Sequence, residues 1–357
     1  MTYKNIDFKN ATTLTIIILI SFIVLNKSIF AYDDKTTHPG LTDEIVDFYN
    51  ISFDDQLTNE EKEWVIQGSM SEDTPPRWIN HFYDPIYKEG WSGEDAGIWP
   101  TIFIQYFSQG ALSSENPVSS FDWLHNQELQ AKYGAYHGNR TWERAIYEAV
   151  KNNNKKEAYY TLGYILHLIE DATVPDHTRN DTHAHELRFF TGDYGSPYEE
   201  FSKQYTRDTL IIVENLKKEN KQPVLKSSID DYLISLAEYS NKYFFSKDTI
   251  YGSKYEFPKI NKDKCDGSFC YGEDENGAEF PLVHVYKYWN FEKLDFTELY
   301  YLPTKSNNNS IVLQSYFSHL SSYAVLNGAG VIYLFKQEVA KTEKDKLQEL
   351  PKESSGI

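Results

Sequence analysis

Two side chains of the types that bind metal ions stand four residues apart in an otherwise apolar segment. If the segment 157–173 is helical, His167 and Asp171 lie on one face of the helix, and His177 follows shortly after Pro175. An unpaired buried charge is costly, so the pair is either a hydrogen-bonded couple in the core or a set of metal ligands. Imidazole and carboxylate without thiolate favour zinc or a similar ion at a catalytic site. We therefore interpret these residues as metal ligands.

The remaining histidines fall into two groups. Two of them, His183 and His185, follow the central segment closely. They stand next to Asn180 and Asp181, and all four residues could bind a metal or support a ligand. The others have no such neighbours in the sequence, and we interpret them as ordinary surface or core residues: His125, His137, His284 and His319.

The central motif resembles a known family. His-x3-Asp-x5-His, beginning at His167 and with Pro175 two residues before its last His, is similar to the signature of the bacterial zinc-dependent phospholipase C family. The all-helical fold of that family is shared with the single-strand-specific zinc nucleases. A second block, Asn-His-Phe-Tyr-Asp-Pro at 80–85, is nearly the Ser-His-Phe-Tyr-Asp-Pro of the family, and Gly68 stands five residues before Asp73. The match runs from about residue 32 to 201.

The resemblance implies a cluster of up to three zinc ions. One ion would be held by Asp73, His81, His167 and Asp171, a second by Asp171 as a bridge with His38 and the mature amino terminus, and a third by His177, a further His and Glu199. The resemblance also assigns Asp73 the role of candidate general base. The terminal ligand would come from Tyr32, the first residue expected after processing.

The sequence departs from the family pattern at the third ion. Residues 196–201 resemble the Ser-x-Tyr-Glu-x-Phe of the family, but the family His four residues before Glu199 is Gly195 here. Either His183 or His185 must replace it, or the third site is incomplete. We favour His183, because the turn-forming residues before it could fold it back toward the site. The alternative is that both are solvent-exposed loop histidines.

The implied chemistry is hydrolysis of a phosphodiester by a metal-activated water. The main hypothesis is a phospholipase C-type hydrolase that acts on a phospholipid, which would bring the protein to a membrane surface. The first alternative is a single-strand nuclease or nucleotidase on the same scaffold, against which the 80–85 block weighs. The second alternative is a surface binding protein that keeps zinc only for stability.

Charge limits the choice of partner. The chain has 35 Lys and Arg against 53 Asp and Glu, a formal net charge of −18. Binding to nucleic acid is driven by clustered cations, so nucleic acid is the less favoured substrate. Bound divalent ions would supply the local positive charge that an anionic phosphodiester needs.

Helical periodicity dominates the chain, so we predict an all-α fold with a single domain at 32–345. The segment 157–173 is apolar nearly all round and predicts a buried central helix. Other helices are predicted at 197–217, 229–245 and 311–339. The stretch 248–304 is punctuated by Gly and Pro, and there we expect a small loop or hairpin excursion.

The chain ends and the cysteines indicate the compartment. Residues 1–31 combine lysines, a 12-residue apolar run and a small-residue end, the layout of a signal peptide, although an uncleaved anchor is the alternative. We therefore expect a secreted or periplasmic protein. Cys265 and Cys270 are the only cysteines and predict a small disulfide, since a metal site would lack partner ligands nearby. Residues 346–357 are predicted to form a flexible tail.

Overall fold

Helices make up about half of the part of the chain that the computed structural model describes, residues 33, 35–74, 77–93, 117–134, 137–182, 195–303 and 310–349. A 3-10 helix at Arg77–Asn80 accompanies them. In chain order the α-helices of this part are α1 Thr37–Ser52, α2 Asn59–Glu72, α3 Ser120–Trp123, α4 Gln127–Lys132, α5 Trp142–Val150, α6 Lys155–Asp171, α7 Pro175–Thr178, α8 Pro197–Ser202, α9 Ile212–Lys218, α10 Ile229–Tyr243 and α11 Ile311–Glu349.

Side-chain caps explain where several helices begin. Thr58 and Glu61 form a capping box at the start of α2, in which each side chain binds the backbone N–H of the other residue. Asn154 caps α6, and its side chain accepts a hydrogen bond from the N–H of Glu157. The observed bounds of α6 therefore nearly coincide with those of the predicted central helix, 157–173. From Ala158 onward it is buried almost completely.

Two glycines allow α6 to lie directly against α2. A Cβ atom on Gly163 would overlap the carbonyl oxygen of Val65, and one on Gly68 would overlap that of Tyr160. Only residues without a side chain permit this backbone approach. The close packing brings the carboxyl-terminal end of α2 beside the second half of α6, which carries His167.

The structure confirms a non-helical excursion at 248–304, but the excursion is larger than the predicted loop or hairpin, because it contains a four-stranded antiparallel sheet. Its strands are β1 Ile260–Cys265, β2 Phe269–Glu273, β3 Glu279–Asn290 and β4 Asp295–Tyr301, paired in the order β1-β2-β3-β4. The fold is therefore mainly helical but not purely all-α. Phe280 of β3 packs against Phe244 after α10, which joins the sheet to the helical core. The predicted disulfide between Cys265 and Cys270 is present and links β1 to β2.

Two helix predictions also need correction. The segment 197–217 is not one helix: α8 ends at Ser202, and Thr206 and Thr209 hydrogen-bond to each other in the polar turn before α9. Helix α11 does not end at 339 but continues to Glu349, so the first part of the predicted tail is helical. The rest of the tail and the predicted signal peptide at 1–31 lie outside the described residues. Among the described helices, none combines the length and apolarity required to cross a bilayer.

Candidate metal centre

The cluster is built around the carboxylate of Asp171, the last residue of α6. Its Oδ2 atom lies 2.9 Å from His81 Nδ1, 3.2 Å from His167 Nε2 and 3.8 Å from His177 Nδ1. Its Oδ1 atom lies 3.4 Å from Nε2 of His38 in α1. Imidazole nitrogens from α1, from the loop after the 3-10 helix, from α6 itself and from α7 therefore converge on one carboxylate, and all of these side chains are buried.

Asp73 adds a second carboxylate at the end of α2. Its Oδ1 atom lies 3.7 Å from His81 Nδ1 and 3.9 Å from His167 Nε2. Ligand atoms of His38, Asp73 and His167 all lie within 4.8 Å of one another, and so do those of His81, His167 and Asp171. The structure thus brings together five of the residues predicted from the sequence as metal ligands.

The separations fit a metal ion better than a hydrogen-bond network. Four ligands at about 2.1 Å from a zinc ion in a tetrahedron stand about 3.4 Å from one another. The distances from Asp171 to His167 Nε2 and His38 Nε2, 3.2 and 3.4 Å, are of this size, and neither contact has hydrogen-bond geometry. Buried polar atoms are almost always hydrogen-bonded, so a buried carboxylate that several imidazole nitrogens face at such distances fits a shared cation. These residues could hold a metal ion.

Each histidine has one ring nitrogen held away from the cluster centre or against a second partner. His167 Nδ1 lies 2.8 Å from the carbonyl oxygen of Ser69, which leaves Nε2 facing Asp171. His38 Nδ1 lies 2.5 Å from Glu170, so its Nε2 atom faces the cluster. Such partners fix ring orientation and tautomer in metal sites.

Two glutamates beside predicted ligands escaped the sequence analysis. Glu170 precedes Asp171 and binds both His38 and the hydroxyl of Thr42, which donates to its Oε1 at 2.7 Å. Glu72 precedes Asp73, and its Oε1 atom lies 3.5 Å from His81 Nε2. Both are fully buried. Their signal in the sequence is only an acidic residue immediately before an acidic ligand, and it says nothing about which histidine they face.

Glu72 is kept ionised by its surroundings. Burial alone would raise the pKa of this carboxyl, but the Arg77 guanidinium and His81 overcome that effect and lower the pKa to about 2. Arg77 donates to Glu72 Oε2 from two nitrogens, and Trp123 Nε1 donates to Oε1 at 2.7 Å. The charge of Glu72 is therefore available to face His81.

Burial and neighbouring charges set the pKa of each cluster histidine. Burial and the positive charge of His38 lower the pKa of His167 to about 3, and burial lowers the pKa of His177 to about 4, so both rings are neutral and have a lone pair to offer. Burial would also lower the pKa of His81, but Asp171 and Glu72 outweigh it and raise the pKa to about 9.

A second grouping lies beside the main cluster. His177 Nε2 lies 3.4 Å from Oε1 of Glu199, so the structure pairs two of the residues predicted for the third ion. Ser196 caps α8 by accepting from the N–H of Glu199 and donates to the buried carboxylate of Asp176 at 2.8 Å. This network holds the helix that carries Glu199. Asp176 is another buried acid that the sequence analysis did not single out.

Three residues predicted as metal ligands, or as the alternative to one, are not part of this geometry. His183 and its alternative His185, together with Tyr32, lie outside the described residues, so the predictions for the third ion and for the terminal ligand stay predictions. At Gly195 the backbone φ is 80°, a left-handed conformation that favours glycine. A His at that position would be strained.

The histidines outside the cluster have other partners. His125 lies between Glu143 Oε1 at 2.6 Å and Asp230 Oδ1 at 2.7 Å. Its hydrogen bond with Glu143 and the nearby charge of Asp230 raise its pKa to about 9, although burial opposes the shift. His125 thus joins helices α5 and α10 electrostatically, a role that its position in the sequence did not indicate.

Comparisons with known proteins give structural matches only. No family model matches the chain, and no curated protein does. Among solved structures, alpha toxin from Clostridium absonum matches with a TM-score of 0.43 and 14% identity over 87% of this chain and 66% of that one. Clostridium perfringens alpha-toxin from avian strain SWCP matches with a TM-score of 0.35 and 14% identity over 91% and 67%. The chain thus spans about two thirds of the length of these toxins, and similarity at this level does not define its activity.

Proposed function

We propose that this protein is an exported zinc-dependent phosphodiesterase that hydrolyses phospholipids in the manner of a phospholipase C. The proposal depends chiefly on one observation, the buried convergence of His38, His81 and His167 on Asp171, with Asp73 beside them. Its support in the sequence is the His-x3-Asp-x5-His motif together with the Asn-His-Phe-Tyr-Asp-Pro block.

The chain's own residues divide the work of such a site. Zinc ions, when bound, supply positive charge that stabilises a phosphate oxygen and promotes ionisation of water. His38, His81 and His167 would hold the ions with Asp171 as the shared carboxylate, while His177 and Glu199 would serve a third ion with His183. Asp73 would accept the proton of the attacking water, because it is a buried carboxylate next to the same imidazoles.

Glu72 and Glu170 would act through the histidines that they contact. A carboxylate on the far nitrogen of a ligating imidazole fixes its orientation and raises its basicity. The cluster also reconciles an anionic substrate with a chain of net charge −18, because the divalent ions would reverse the sign of the potential locally.

A substrate panel tests the proposal. Purified protein is assayed on phosphatidylcholine, on nucleotides and on single-stranded DNA, before and after chelation and again after zinc is restored. We expect zinc-dependent release of the phosphorylated headgroup from phospholipid, lost on Asp73→Asn and kept on the surface control Asp54→Asn. Hydrolysis restricted to nucleotides or DNA would favour the nuclease alternative. Bound zinc without any hydrolysis would favour the non-catalytic binding protein.

Export is tested separately. Amino-terminal sequencing of protein recovered outside the cytoplasm should find a chain that begins at or near Tyr32. Exported protein that still begins at Met1 would contradict both the signal peptide and the role of the mature terminus as a ligand.

A further inference from the structure

The end of the sheet distal to the helical core exposes an unusual amount of apolar surface. Strands β3 and β4 pair from His284 with Tyr301 to Asn290 with Asp295, and residues 291–294 connect them. We refer to residues 284–301 as the aromatic hairpin. Of the large hydrophobic side chains that the described part of the chain exposes, eight lie in it: Tyr286, Tyr288, Trp289, Phe291, Leu294, Phe296, Leu299 and Tyr301. Isolated exposed apolar residues need no explanation, but a contiguous set of this size marks a binding surface.

Exposure is lowest at the base of the hairpin and highest at its turn. Val285 and Leu302 at the base are 3% and 2% exposed, whereas Phe296, Leu294 and Phe291 near the turn are 64%, 73% and 82% exposed. The most exposed apolar side chains therefore stand at the turn, and the others line the strands behind it.

Both faces of the hairpin are apolar. Tyr286 and Tyr288 lie on one face with parallel rings, and Trp289 pairs with Phe296 on the other, with ring centroids 5.2 Å apart and nearly perpendicular. A second protein chain would cover one face and leave the other in water. A lipid surface surrounds an inserted tip and can desolvate both faces together.

The residue types match the layers of a lipid interface. Trp and Tyr are favoured at the level of the headgroups, and Phe and Leu gain most from contact with the acyl boundary. Phe291 and Leu294 lie in the turn, with the Trp and Tyr residues behind them along the strands. Exposed charges at Glu292 and Lys293 within the turn limit insertion to a depth at which they stay hydrated.

Charge restricts which lipid surface fits. Lys287 is paired across the strands with Glu298 at 3.1 Å, and Lys293 in the turn stands beside Glu292, so the hairpin presents no cluster of cations to acidic headgroups. With a net charge of −18, the protein is repelled by anionic membranes. A zwitterionic phospholipid surface carries no such penalty.

The segment before the sheet connects the hairpin indirectly to the surroundings of the metal cluster. Tyr251 donates from its hydroxyl to the carbonyl oxygen of Tyr300 in β4 at 2.8 Å. In the segment that follows, the Tyr255 hydroxyl donates to Asp84 Oδ2 at 2.6 Å, three residues beyond His81.

The buried Arg179 provides a second connection, since it lies two residues beyond His177. Its guanidinium donates to the carbonyl oxygen of Glu256 and to the hydroxyl of Thr249. The segment that supports the sheet is thus anchored just beyond His81 and just beyond His177.

We propose that the aromatic hairpin docks the protein on a zwitterionic phospholipid surface by inserting its tip into the headgroup region. This inference rests on the proposed function, because it identifies the surface from which the site would take its substrate. The hairpin itself contributes affinity for the surface, and its anchored base holds the cluster at a constant position relative to that surface.

The test separates docking from chemistry. The double variant Phe291→Ser with Leu294→Ser is compared with a control, Ile211→Ser with Leu225→Ser, which removes two exposed apolar side chains elsewhere. Cosedimentation with phosphatidylcholine vesicles measures docking, and hydrolysis of a short-chain phosphatidylcholine below its micellar concentration measures chemistry. We expect the hairpin variant to lose at least about tenfold in vesicle affinity while its circular dichroism and its hydrolysis of the monomeric lipid are unchanged.

The other outcomes are equally decisive. Unchanged vesicle binding by the hairpin variant, or stronger binding of the wild type to phosphatidylglycerol vesicles, would overturn the proposal. A concentration-dependent dimer that the hairpin variant cannot form, without vesicle binding by the wild type, would assign the hairpin to self-association and also overturn it. Hairpin-dependent vesicle binding without hydrolysis of any lipid would support docking while refuting the proposed function.

Discussion

The carboxylate of Glu170 offers a sharp test of the metal cluster, because it contacts a predicted ligand without being one. In the structure its two oxygens bind His38 Nδ1 and the Thr42 hydroxyl, and all three side chains are buried. The change Glu170→Gln keeps the size of the side chain. The amide oxygen can still accept from the imidazole, and the Thr42 hydroxyl can rotate to accept from the amide nitrogen. The charge is therefore the only property removed.

The expected magnitude follows from the position of this carboxylate. Loss of an outer partner of a ligating histidine typically lowers metal affinity by about 10- to 100-fold, or about 1.4 to 2.7 kcal/mol. Because both hydrogen bonds can be rebuilt, the free energy of unfolding of the metal-free protein should change by only about 1 kcal/mol. Zinc affinity should therefore change more than stability does.

The assay is a competition titration of the protein with a zinc chelator, read out as bound zinc per chain. Glu148→Gln is the matched control, because Glu148 is also a buried helical carboxylate but pairs with Arg144 and Asn152 instead of a cluster histidine. It should lower stability and leave zinc affinity unchanged. The reasoning is refuted if Glu170→Gln binds zinc as tightly as the wild type, or if the control loses as much affinity.

Three further predictions concern the cluster, the helix packing and pH. Asp171→Asn should release at least one zinc per chain and reduce hydrolysis by orders of magnitude while the helical circular dichroism persists; full zinc and full activity would rule out the shared-ligand role. Gly163→Ala should lower the free energy of unfolding in urea by about 3 kcal/mol because its methyl group meets the α2 backbone, whereas Gly134→Ala, with its nearest atom at 3.6 Å, should change it little. The pKa of His125 is raised to about 9 in the folded protein, so its contribution is present below about pH 6.5 and lost as pH rises through 9. Half-exposure limits that contribution to about 1 kcal/mol, and His125→Gln but not His319→Gln should flatten the loss of stability measured between pH 7 and 10.

Local spacing in the sequence was sufficient to predict those features whose signals lie within one turn or one helix. His167 and Asp171 could be placed on one face because a separation of four residues defines that geometry in any helix. The buried character of α6 was readable from its apolar residues, and its observed bounds differ from the prediction by two residues at each end. The short disulfide between Cys265 and Cys270 was likewise a local inference.

Only the tertiary structure decided which residues meet across the chain. No periodicity relates His38 to Glu170, because this pair forms when α1 packs against α6. Nor does one relate His81 to Glu72, because this pair forms when the chain after α2 turns back toward the end of that helix. The four-stranded sheet was missed for the same reason: strand pairing depends on partners outside the local window, and short strands between glycines resemble loops. The exposed tip of the aromatic hairpin shows this most directly. A run of aromatic residues predicts burial by composition, and only the pairing of β3 with β4 places that run in solvent.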